Sequence, residues 1–288
     1  MSTLFHPYQT PPLLSLGLRP FFLAAGLFAG GAILLWLATL HGIQGGGLYW
    51  HVHEMLYGFV GAAIGGFLLT AVPNWTGRPA LRGLPLLGLV AIWALARLPL
   101  GTLAAVLDVG YWLLLAGWVA RQLLASGNRN NLPMVGILTL LGVLNALYYT
   151  GLAGITPLAP LTALYLTLHL ILVLVAVIGG RIIPAFTRNW MQANGRSPLP
   201  MTRPRVEIAA LALVPLTGLA DGLAPGSTLA GALALGAALA HGVRLAGWRG
   251  LRTLPEWLLT VLHMGYGWLV VGYLLLGLAA FGWVPRSA

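Results

Sequence analysis

Nine stretches of nearly unbroken apolar sequence, most able to supply ~20 residues of helix, leave this chain few ways to fold. In hydrocarbon every backbone N–H and C=O must be satisfied within the protein, which restricts membrane-spanning segments to helices or the strands of a closed barrel. Runs this long exceed what a barrel strand needs, so helices are expected. The runs lie near 17–40, 51–73, 84–100, 102–124, 132–151, 157–183, 206–222, 227–247 and 257–282. Residues are 59% hydrophobic and 7% charged, and no polar block is long enough for a soluble domain. The fold class is therefore all-α: a polytopic bundle of about nine transmembrane helices, read as a single transmembrane domain over 1–288, with the lipid bilayer as its principal partner.

A net charge of +10 would suggest nucleic acid as the partner of a soluble chain. Here the basic residues are all arginine and mostly sit between apolar runs, where they set topology, and no nucleic acid partner is expected. With the N-terminus in the cytoplasm and nine crossings, every arginine from Arg19 to Arg252 except Arg97 falls on the inner side. Only Arg97 and Arg286 fall outside, and adding or losing one early span scrambles the pattern. A cytoplasmic N-terminus follows as an expectation. The first apolar run lacks a small-residue cleavage site and reads as a retained span. Cysteine is absent, which excludes disulfides, thiolate ligands, Cys-held iron–sulfur clusters and c-type haem attachment.

Any metal must then be held by His, carboxylate, Met, Tyr or backbone oxygen. The stretch WHVHEMLYGFVGAAIGGFLLTAVPNWTGRP, from Trp50, concentrates such groups at the outer end of the second run. On a regular helix His51 and Glu54 share one face and His53 and Tyr57 another, so His51 and His53 meet at one metal only if the segment unwinds. Glu54 is suited to orient a ligand histidine. Ionisable groups within spans are functional by default, which adds His169, near mid-membrane in the sixth run, and His263 in the ninth. The metal-ligand candidates are thus His51, His53, His169 and His263. Two positions at different depths are expected: an outer one at His51 or His53, and a mid-membrane one at His169 that His263 is a candidate to join. His6, His41 and His241 read as interfacial.

Other features are weaker. Arg78, Arg181 and Arg188 adjoin proline and aromatic residues and are candidates for holding an anion. TAVPNWTGRP from Thr70 and IIPAFTRNWM from Ile182 share a proline at the membrane exit followed by Thr, Arg, Asn and Trp, which suggests four-helix repeat units. The segment 181–205 reads as an irregular loop. The five acids are Glu54, Asp108, Glu207, Asp221 and Glu256, and none reads as central to a span, which counts against an ion-coupled transporter. No P-loop, dinucleotide fingerprint, H-E-x-x-H or serine elbow is present.

Taken together, SLGLRPFFLAAGLF from Ser15, WHVHEMLYGF from Trp50, FLLTAVPNWTGRPALRG from Phe67, GGRIIPAFTRNW from Gly179 and LHMGYGW from Leu262 resemble the NnrS family over essentially the whole chain. That resemblance implies a bacterial inner-membrane protein containing haem and copper and linked to nitric oxide and nitrosative stress. It makes nitric oxide the expected small-molecule ligand and haem propionates one anion for the arginines. The family continues beyond the His-Met-Gly-Tyr helix into further spans, so a shortened member is expected. The alternative class is a channel or transporter for a small neutral or anionic species.

Overall fold

The computed structural model describes residues 10–42 and 47–285. Arg286 and His6, used above for topology and as an interfacial residue, lie outside the described residues. Among these, ordered structure is entirely helical: α1 (Leu18–Leu40), α2 (Leu48–His53), a π-helical turn (Glu54–Phe59), α3 (Val60–Thr76), α4 (Leu84–Leu95), α5 (Thr102–Ala125), α6 (Pro133–Leu152), α7 (Pro160–Ala193), α8 (Pro204–Leu223), α9 (Thr228–Gly247) and α10 (Trp257–Ala280). Counting α2, the π turn and α3 as one pass, every expected run is helical, and eight are long and apolar enough to span a bilayer.

Two differences from the sequence reading have local causes. The third run, expected over 84–100, is helical only over Leu84–Leu95, ~18 Å at the helical rise and short of a bilayer core. Pro99 has no N–H to continue a helix and Gly101 takes φ 58°, while Arg97 is drawn into the bundle by two carboxylates. The segment expected to be irregular from Arg181 instead prolongs α7 to Ala193, with Pro184 inside the helix. In α3 only three residues follow Pro73 before Gly77, at φ 66°, ends the helix by donating to the Pro73 carbonyl. The two proline exits are therefore not structurally equivalent.

The chain forms two compact units, with the boundary inside α7 between Thr167 and Leu168. In the first, α1 packs on α3 and the π turn, α3 on α5, and α5 on α4 and α6. Glycine makes these contacts close: the ring of Trp112 lies against Gly61, and Phe21 against Gly66, where a methyl group would meet it at 2.9 Å. In the second, α9 packs between α8 and α10, and its Ala234, Ala237 and Ala238 join Tyr266, Leu269 and Tyr273 in the core. Outward faces carry large apolar residues such as Leu27, Leu34, Leu239 and Trp268, as expected of surfaces in contact with acyl chains.

Candidate functional site

The π turn sets up the polar centre of the first unit. A π turn widens the helix by one residue and releases carbonyls from the regular ladder, and such turns gather at functional sites. The Gly58 carbonyl, within the turn, accepts from Trp93 Nε1 at 3.0 Å, and the Gly61 carbonyl accepts from Tyr111 at 3.0 Å. The Glu54 carboxylate engages its neighbour His53 and Arg97. Glu54 Oε1 lies 3.1 Å from His53 Nδ1, and Glu54 Oε2 accepts from Arg97 at 2.9 Å.

Around His53 the cluster is closed. Its Nε2 is 2.9 Å from Asn145 Oδ1 and 3.4 Å from Asp108 Oδ2. Asp108 also binds Arg97 and accepts from the Tyr149 hydroxyl at 3.1 Å. The imidazole stacks on Tyr148 at 4.4 Å and touches Tyr57 at 4.9 Å, so the expected His53–Tyr57 pairing is present. Tyr57 itself is held by the Thr167 hydroxyl at 2.6 Å. His51 points elsewhere, stacking on Trp36 of α1 at 4.3 Å, with Nδ1 buried and without a hydrogen-bond partner among the described residues. The two histidines do not converge, as their spacing implied.

The carboxylates of this cluster are not central to their spans, as read from the sequence, but they are buried. Asp108 is seven residues into α5 with no exposed surface, and Glu54 is 5% exposed. Burying these charges is tolerable only because Arg97 lies between them and hydrogen bonds surround both. Asp108, Arg97 and Asn145 were missed as site residues. The usable signal was a single acid or amide within an otherwise apolar run.

The second unit holds His169 and His263, and it separates them. His169 is buried, its ring 6.0 Å from Tyr273, and packed so closely on α8 that any side chain at Gly218 would overlap it. His263 lies ten residues before Tyr273 on α10, ~15 Å along the axis, so the two imidazoles do not share a centre. The residue brought near Tyr273 is His241, with no exposed surface, which stacks on that ring at 6.4 Å. The interfacial assignment of His241 is thereby overturned. Its Nδ1 pairs with the Tyr266 hydroxyl at 2.7 Å; Tyr266 accepts from Arg244, which is also bound by Glu207. His41, by contrast, is exposed at the end of α1.

His263 has a different setting. Its Nδ1 donates to the Leu259 carbonyl at 2.8 Å, fixing the tautomer with the lone pair on Nε2, which faces Thr187 Oγ1 at 3.4 Å. The ring rests on Gly250, where an added Cβ would collide with it. It opens onto a cavity of about 620 Å³ lined also by Met264, Arg249, Arg252 and Thr260. Of the anion candidates, Arg78 lines a cavity with Arg82 and Arg121, Arg188 donates to the Pro200 carbonyl at 2.7 Å, and Arg181 is exposed on α7. Among the described residues no three His, Asp or Glu side chains are placed to hold a single metal ion.

Compared with known protein families, the chain matches the NnrS protein model over residues 12–288, and it belongs to the NnrS family. No curated protein and no solved structure matches it.

Proposed function

We propose that this NnrS family member is a haem-binding protein of the bacterial inner membrane, with copper as a second metal, acting in nitric oxide metabolism and the response to nitrosative stress. The observation that carries the haem assignment is the setting of His263. Its Nδ1–H is committed to a backbone carbonyl, the bond that orients metal-ligating imidazoles, so Nε2 would be the ligand atom. The adjoining cavity, about 620 Å³, is of cofactor size, and Arg249 and Arg252 on its wall have the fork geometry that binds carboxylates. Haem held there by His263, Arg249 and Arg252 would supply an iron able to bind a diatomic gas.

Copper does not fit the residues as they stand. Both nitrogens of His53 already face oxygen acceptors, and His51, His53, His169 and His263 are not brought together within either unit. The copper part of the reading rests on the family resemblance, and no step is routed through it.

The inner-membrane orientation with a cytoplasmic N-terminus is supported by the arginines. Arg97, the one exception among the described residues, is neutralised by Glu54 and Asp108 and so is a poor topology signal. Those same two carboxylates favour the second reading, a transporter, because buried acids mark ion paths in membranes.

An absorption spectrum separates the readings. Protein purified from haem-replete cells is expected to show a Soret band that His263→Ala abolishes and His53→Ala retains. A colourless wild type would favour the transporter, and a band surviving His263→Ala would refute the ligand assignment.

A further inference from the structure

We infer that the end of the first unit opposite His53 carries a binding site for a phosphate group. The loop joining α3 to α4 is bent at both ends by glycines, Gly77 and Gly83, each at φ 66°. It is pinned where the Gly83 N–H donates to the Leu14 carbonyl at 2.9 Å. The fixed loop brings Arg78 and Arg82 to a cavity of about 300 Å³ whose far wall is Arg121, Gln122 and Trp118 of α5. Buried Gln122 accepts from Arg78 Nε at 2.6 Å, which orients the guanidinium and leaves its terminal nitrogens uncommitted to that bond.

The charge around this cavity is unbalanced. The first unit contains only two carboxylates in its whole sequence, Glu54 and Asp108, and both are bound to Arg97 at the other end. None of Arg78, Arg82 and Arg121 has a carboxylate partner among the described residues. Three guanidinium groups around one small cavity repel each other until an anion enters, and a tetrahedral oxyanion with several acceptor oxygens can engage more than one fork at once. The cavity sits at the ends of α3 and α5, beside the exposed Leu84, so the phosphate can come from a phospholipid headgroup or from solution. The site is independent of the haem reading, since none of its residues lines the His263 cavity.

The test uses the full chain purified in detergent, with two arms. In one, inorganic phosphate is titrated at constant ionic strength while thermal unfolding is followed. In the other, native mass spectrometry counts phosphatidylglycerol against phosphatidylcholine retained after washing. A melting shift with phosphate alone identifies a soluble anion, and selective retention of phosphatidylglycerol identifies a lipid headgroup; either supports the site. The double variant Arg82→Gln/Arg121→Gln changes two exposed side chains and should fold. It is expected to weaken the responding arm by about tenfold or more. Arg129→Gln removes an arginine at the same end but outside the cavity, and should leave binding unchanged. The inference is overturned if the wild type responds in neither arm, if the double variant binds as the wild type does, or if Arg129→Gln weakens binding equally.

Discussion

Asp108 shows how much one side chain can govern in a low-dielectric interior. It has no exposed surface and receives Arg97, the Tyr149 hydroxyl and the edge of His53. Removing one member of a buried pair leaves the other charge uncompensated, at a cost of about 3–5 kcal/mol, whereas removing both together costs far less. Arg97→Met, which strips the cation from both Asp108 and Glu54, is therefore expected to lower stability by at least about that amount in denaturant unfolding of the purified protein, and Asp108→Ala, which leaves Glu54 on Arg97, by less. A single variant as stable as the wild type would mean that Arg97 and Asp108 are not paired in the membrane.

The π turn, at the scale of the element, depends on side chains from other helices. Trp93 of α4 donates to the Gly58 carbonyl within the turn, and a residue larger than glycine at 58 would strike Phe28 and the Glu54 carboxylate. Trp93→Phe keeps an aromatic ring but strands a buried acceptor, with an expected loss of about 1–3 kcal/mol. The more specific readout is the amide exchange of residues 54–59, which should quicken more than that of α3 beyond it. Equal exchange in both segments would show that the turn is held by its own sequence. The same helix, α4, is apolar but too short to be recognised as a span, yet the arginine pattern requires its passage to count as a crossing.

That requirement is tested on the whole molecule. Reporters placed after Pro99 and after Gly127 are expected on opposite faces of the membrane, the first periplasmic and the second cytoplasmic, and a reporter at Asn194 should again be cytoplasmic. Finding the first cytoplasmic and the second periplasmic would remove α4 from the crossings and invert everything after it. What the sequence determined by itself was the helical class and the position of each run, because hydropathy and backbone satisfaction in lipid are decided locally along the chain. The pairing of His53 with Tyr57 and the divergence of His51 also followed from spacing on a helix. Only the tertiary structure decided that His53 meets Asn145, 92 positions away, that Glu54 turns to Arg97, that His241 and not His263 approaches Tyr273, and that Gly250 backs the ring of His263. Helices that are apolar nearly all round carry little pattern to show which face turns inward. Their rotation is set by close packing at glycines and by the few polar groups that must find partners in the same interior.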